Sequence, residues 1–470
     1  MRVVRNYLYN VTYQMFILII PLITVPYISR IVGPTGVGIN AYTNSIIQYF
    51  ILFGSIGISL YGNREIAYVR DDKGKLSRTF WEIEILRVST ISIAYILFLG
   101  FLLVTNTYHD YFIFQSLLII SAALDISWFY MGLEDFKKTV TRNMIVKILT
   151  VILIFTFVKS KTDLGLYILI LSLSQLFGNL TLWPYLRKTL VKINWNKLNI
   201  LRHLRPSIGL FIPQIAIQIY LVLNKTMLGQ MDGVSSVGYF DNSDKIIKMV
   251  LAIVTATGTV MLPHVANSFA KGKYTEVSQL LANSFDFVSF LAIPLMFGVS
   301  AISLKLAPWF FGSDFKEVGP VMMIESIVIL LIAWSNVTGQ QFLMPTNKIK
   351  YYTISVTVGA IINLLLNVPL ISLYGVIGVA ISTVISELVV TSYQLYKVKL
   401  YISLKLMFTN VYKYLIAGII MFIVVFYVDC KISFGLVSLI GQILLGILVY
   451  IGILIFLKPT IFKKIRDFKE

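Results

Sequence analysis

Lys245 and Lys248 stand three residues apart in GYFDNSDKIIKMV, residues 238–250, so they share one face of any helix that forms there. Lys225 lies in the preceding apolar run, QIYLVLNKTMLG, with no acid close to it in sequence. Ammonium groups on two successive helices suit an anion with several oxygens, because a flexible lysine meets phosphate as a point charge. A diphosphate is the natural candidate. Two plainer readings compete. Long stems near a helix end ordinarily snorkel to lipid head groups, and Asp244 is spaced to pair with Lys248 at i,i+4. Arg30 and Arg64, at helix ends, are weaker anion-binding candidates because such arginines commonly anchor loops.

The elements that must position these residues are membrane helices. The 470 residues are 57% hydrophobic and 13% charged, with mean hydropathy +0.82, more apolar surface than any soluble core requires. Runs of about 20 apolar residues, the length that crosses ~30 Å of hydrocarbon as helix, recur from Leu8 to Leu457. They predict about fourteen helices, near 6–31, 38–61, 80–104, 111–132, 143–158, 164–186, 208–231, 243–264, 283–305, 320–344, 351–373, 376–397, 411–429 and 434–457. No small-residue cleavage site follows the N-terminal MRVVRNYLYN, so the first span is expected to be retained.

The formal charge of +18 matters less for its sum than for its placement. Arg64, Arg70, Lys73, Lys75 and Arg78 fill one loop, Lys137, Lys138 and Arg142 another, and Arg187 to Arg205 a third, whereas alternate loops hold few basic residues. The positive-inside rule then puts both termini in the cytoplasm, with Arg2 and Arg5 ahead and Lys463, Lys464, Arg466 and Lys469 behind. An internal echo runs at a constant offset of 200: Val37-Gly38, Thr43 and Ile46-Ile47 against Val237-Gly238, Ser243 and Ile246-Ile247, each after a Gly-rich turn. Six crossings return a chain to its starting side, so the repeat is parallel. The expected fold is an all-α integral membrane protein with a six-helix lobe at 1–190, a second at 191–405, and two further helices at 406–470. A ligand belongs between such lobes.

Every ionisable residue inside a span is a candidate, since charge facing lipid at mid-depth costs ~2.5–3.5 kcal/mol even on the lenient scale. Arg87, Asp125, Lys147, Lys225, Asp244, Lys245, Lys248, Glu325 and Glu387 form that set. Gln214, Gln218, Asn224, Asn336, Gln340, Gln341, Asn363 and Asn367 could meet sugar hydroxyls, or serve as glue between helices. Pro21, Pro26, Pro213 and Pro294 can bend their spans. There is no G-x-x-x-x-G-K-[ST] loop, His109, His203 and His264 are scattered, and the single Cys430 excludes an internal disulfide. No cofactor, no metal and no catalytic apparatus are expected.

Residues 26–67, PYISRIVGPTGVGINAYTNSIIQYFILFGSIGISLYGNREIA, resemble the first two helices of the polysaccharide-transporter family. These are the capsule and O-antigen repeat-unit flippases of the multidrug/oligosaccharidyl-lipid/polysaccharide exporter superfamily, and the fourteen-helix, two-lobe layout extends the likeness over nearly the whole chain. The resemblance implies flipping of an undecaprenyl-diphosphate-linked oligosaccharide across the bacterial cytoplasmic membrane. In the more distant lipid II flippase branch, an Asp followed by a basic residue on the eighth helix meets diphosphate; Asp244-Lys245 falls on that pair. The sodium site of that branch matches Asn224, Asn363, Asn367 and Thr383, amides replacing its acids, which disfavours Na⁺.

These readings converge on a non-enzymatic flippase working by alternating access, with Lys225, Lys245 and Lys248 on diphosphate and Glu325 or Glu387 as candidate proton-coupling acids. Its partners would be the lipid-linked oligosaccharide, membrane lipid and other polysaccharide assembly proteins, not nucleic acid. A drug or cation exporter of the same superfamily would want an acid on the first helix, where MFILIIPLITVPYISR has none. A polymerase or glycosyltransferase would want a long outer loop bearing catalytic acids, whereas the outer loops expected here are short.

Overall fold

The computed structural model describes residues 2–255 and 258–462; Lys463, Lys464, Arg466, Lys469 and the side chains of Arg2, Arg5, Pro213 and Gln214 lie outside what is described. Among these residues all regular structure is helical. Eleven segments are long and apolar enough to cross a bilayer. The first of them, Ile19–Val69, holds the positions of the first two expected spans. Leu204–Met231 and Val234–Thr255 stand where the seventh and eighth were expected.

The chain parts into two compact units, Met1–Thr226 and Met227–Glu470. The first comprises α1 (Arg2–Ser55), α2 (Ile58–Val69), α3 (Lys73–Val104), α4 (His109–Ala123), α5 (Ser127–Gly132), α6 (Phe136–Phe157), α7 (Leu164–Leu180) and most of α8 (Leu204–Met231). One apolar core gathers Ile58, Phe80, Ile83, Trp128 and Phe129, and another Ile47, Ile91, Phe98, Phe112 and Ile119. The second unit holds α9 (Val234–Thr255), α10 (Gly258–Ala270), α11 (Tyr274–Phe311), α12 (Val318–Glu325), α13 (Ile327–Ser335), α14 (Ile349–Tyr374), α15 (Val376–Val398), α16 (Leu404–Met407), α17 (Val411–Lys431) and α18 (Leu436–Leu457).

Several helices expected to be continuous are broken, each for a local reason. α1, by contrast, parts where the first two expected spans were to meet, not at Pro21 or Pro26 but at Gly33, whose φ of 70° and ψ of 178° are open to glycine and costly for other residues. The expected helix 38–61 stops at Ile56-Gly57, where Ser207 Oγ donates to the Ile56 carbonyl at 2.6 Å. The expected helix 111–132 parts into α4 and α5 because Asp125 Oδ1 accepts from Ser127 N at 2.9 Å, a turn that competes with helix continuation. The expected helix 320–344 becomes α12, α13 and a π-helical turn, Asn336–Leu343.

The offset of 200 is written into the backbone. Gly33 precedes the second segment of α1 at a φ of 70°, and Gly233 precedes α9 at a φ of 95°.

A tie of a different kind holds the segment leading into α8. Fully buried Glu82 on α3 accepts from Arg78 Nε at 2.8 Å, Asn199 N at 2.7 Å and Arg202 Nη2 at 2.5 Å, and lies 2.9 Å from His203 Nε2. The other nitrogen of His203 lies 2.7 Å from the Tyr61 hydroxyl, and burial pushes its imidazole below the ordinary value.

Candidate functional site

On α9 the lysines have company. Lys245 Nζ lies 2.6 Å from Asp241 Oδ2, and Lys248 Nζ lies 2.7 Å from Asp244 Oδ2. Both pairs are i,i+4 with the acid toward the N-terminus, the favoured sense on a helix. Sequence reading anticipates the second pair and misses the first, because it starts this helix at 243 whereas α9 starts at Val234. The signal was present, since 241 and 245 repeat the spacing of 244 and 248.

The two pairs differ in setting. The Asp241 side chain is 8% exposed and that of Asp244 15%, while the ammonium ends are more open, at 37% for Lys245 and 49% for Lys248. The quartet is neutral as it stands. Each ammonium has three donors, so a carboxylate leaves capacity for phosphate oxygen. Such a site can receive an anion without first holding bare charge in a low dielectric.

Between the pairs, buried Ser243 donates from Oγ to Glu325 Oε2 on α12 at 2.5 Å. The candidate acid Glu325 thus grips the lysine helix itself. No sequence signal joins positions 82 residues apart. Glu387, the other candidate acid, is buried on α15 and acts electrostatically on Tyr352 of α14.

Lys225 is half-buried on α8 in the first unit, between buried Asn224 and Thr226, whose hydroxyl lies 2.9 Å from Ser45 Oγ of α1. Arg30 is exposed, one turn before Gly33. Arg64 donates to neighbouring Glu65 at 3.2 Å and sits 5.5 Å from the Tyr61 ring centroid. These contacts tie Arg64 to its own helix.

Asn363 and Asn367 share a hydrogen-bonded ring with Ser382 in the second unit. Asn367 Nδ2 donates to Asn363 Oδ1 at 3.1 Å, Asn363 Nδ2 donates to Ser382 Oγ at 3.4 Å, and Ser382 Oγ donates to Asn367 Oδ1. Thr383 Oγ1 donates to the Val379 carbonyl at 2.8 Å. Among the described residues no group of three or more His, Cys, Asp or Glu side chains could hold a metal ion.

Comparison with known proteins agrees with this architecture. The family model described as polysaccharide biosynthesis protein matches residues 3–269, and that described as lipid II flippase MurJ matches residues 143–445. A putative O-antigen transporter of Escherichia coli (strain K12) is 26% identical over 401 residues, 83% of this chain and 95% of that protein. The solved lipid II flippase MurJ, in an inward closed conformation, matches with a TM-score of 0.75 at 17% identity, covering 99% of this chain and 100% of that one. An inward-facing multidrug resistance MATE family transporter of the MOP superfamily matches with a TM-score of 0.61 at 12% identity, over 84% of this chain and 95% of that one. The fold is therefore one this chain shares with those two solved proteins. The chain belongs to the polysaccharide biosynthesis protein family, whose model covers more than half of it.

Proposed function

We propose that this protein flips a polyprenyl-diphosphate-linked oligosaccharide repeat unit, for capsule or another surface polysaccharide, from the inner to the outer leaflet of the bacterial cytoplasmic membrane. The lobes at 1–190 and 191–405 alternate access, the helices at 406–470 stand outside the repeat, and both termini are cytoplasmic. The observation that carries this reading is the pair of Asp–Lys contacts on α9: two ammonium groups, open at their ends, on the helix that Glu325 grips. Lys245 and Lys248 engage the diphosphate as its charge displaces part of each carboxylate's hold, and Lys225 adds a third ammonium. Arg30 and Arg64 act at the edges of the path. Glu325 and Glu387 are the coupling acids. Asn224, Asn363, Asn367 and Thr383 are further candidate coupling positions, of which Asn363 and Asn367 hydrogen-bond to each other.

The prenyl chain stays in lipid while the head group crosses, so the protein makes and breaks no bond. Family membership and the named O-antigen and lipid II relatives support this substrate class. The test is depletion of the protein in a cell that makes the polymer. Lipid-linked repeat units should accumulate facing inward, and purified protein in vesicles should move a labelled diphosphate-linked saccharide between leaflets. Polymer loss without such accumulation, together with no movement in vesicles, would overturn the reading.

A further inference from the structure

The first unit buries a carboxyl that neither the fold nor the proposed transport site uses. Glu84 on α3 is 2% exposed, and neither of its oxygens has a hydrogen-bond partner. Arg87, one turn along the same face and 3% exposed, donates from Nε to the Ala122 carbonyl at the end of α4, at 2.8 Å. Its Nη2 stands 3.9 Å from Asp125 Oδ2, and its Nη1 is unpartnered. The indole of Trp128 on α5 adjoins Glu84, and its Nε1 is also buried without a partner of good geometry. The charged groups acting on Glu84 are Arg87 and Asp125. Those nearby on other turns are engaged elsewhere: Glu82 with Arg78, Arg202 and His203, and Arg64 with Glu65.

Buried polar atoms are almost always satisfied, so three neighbouring residues with orphaned atoms need an explanation. With both carboxyls ionised, Glu84, Arg87 and Asp125 sum to −1 in a water-poor interior; with one proton they sum to zero. A hard cation is the poorer occupant, because it wants six or more oxygens and would sit against a guanidinium. We propose that Glu84 is a proton-binding site whose occupancy decides which carboxylate Arg87 serves. A proton from water adds to a Glu84 oxygen, and Arg87 then holds Asp125 and the Ala122 carbonyl. When the proton returns to water, the Glu84 carboxylate draws Arg87 away from the α4–α5 break. The break is where such an exchange can move backbone, since Asp125 itself caps Ser127 there.

The test does not depend on what the protein carries. Infrared difference spectra of the purified full chain, between acidic and alkaline buffer, should show the band of a water-shielded carboxylic acid. Glu84→Gln should remove that band and about one proton per chain from the uptake measured on a pH jump, and Glu84→Asp should displace the band. Persistence of the band and of the full proton count in Glu84→Gln overturns the proposal. Should Glu84→Gln fail to fold, Glu84→Asp decides alone, and an undisplaced band refutes it. Sodium abolishing the band at constant pH would also refute it, by making the site a cation site.

Discussion

Residues 34–55 and 234–255, offset by 200, can be compared position by position, and their chemistry differs. Both follow a glycine with positive φ, and both bury an isoleucine at the same point, Ile47 and Ile247. Where the second has Asp241, Asp244, Lys245 and Lys248, the first has Ala41, Asn44, Ser45 and Gln48. Thr43 turns its hydroxyl back to the Ile39 carbonyl of its own helix, whereas the matching Ser243 reaches Glu325 on another. The first segment forms its helix with no such ionic quartet, tied instead by the Ser45–Thr226 and Asn40–Gln115 contacts. Charge kept in one copy only is charge with another use.

The largest effect expected of this asymmetry is in transport. Lys245→Glu sets a third carboxylate beside Asp241 and Asp244, and export should fall at least tenfold while the protein still inserts. Asp241→Lys combined with Lys245→Asp keeps an ion pair but moves the ammonium one turn, and it should not restore export. Export of the polymer from living cells measures both. Normal export in Lys245→Glu, or rescue by the swap, would make the pair a structural contact and nothing more. Next comes conversion of the second copy to the first, Asp241→Ala with Lys245→Ser. A pair with an open lysine end is worth ~0.2–1 kcal/mol, so thermal unfolding should shift little. Export should still fall at least tenfold. A large loss of stability with the residual folded protein exporting normally would reverse the assignment.

Much of the frame was legible because lipid imposes a simple rule: about 20 apolar residues, then polar ones. The interruptions were harder to read. The Gly33 turn was expected between the first two spans, but Ile56-Gly57 and the Asp125 turn sit inside apolar stretches, and each is decided by one residue's dihedral or one hydrogen bond rather than by composition. The candidate site was half legible. Asp244 and Lys248 announce each other by spacing, but Asp241 fell outside the helix as drawn. Ser243 and Glu325 meet only through tertiary packing. Glu82 and Glu84, in WEIEILR, lie within the span expected at 80–104 and belong with Arg87 and Asp125 among its ionisable residues. The two acids two residues apart look alike in sequence, yet one gathers donors from Arg78, Asn199 and Arg202 and the other has only the Trp128 indole beside it, in poor hydrogen-bond geometry.

The remaining predictions concern stability. Ser243→Ala removes a buried donor from the Glu325 carboxyl and should cost ~1.5–3 kcal/mol, the range for hydrogen bonds to charged groups. Thr43→Ala loses only a hydroxyl bonded to its own helix, which contributes little, so less than ~1 kcal/mol is expected. Equal losses in thermal unfolding would remove the difference claimed for the two copies. The most symmetric effect should lie at the turns: Gly33→Ala and Gly233→Ala each force a side chain into a positive φ, at ~1 kcal/mol apiece. No side-chain atom stands closer than 3.9 Å to a β-carbon placed at Gly33, and none lies within 4 Å at Gly233, so crowding does not enter and the backbone term is read alone. If the two losses match while those at 43 and 243 diverge, the turns are shared inheritance and the charges are not. If Gly33 and Gly233 differ as much as Thr43 and Ser243 do, the offset of 200 is a coincidence of lengths and the two helices have nothing to teach about each other.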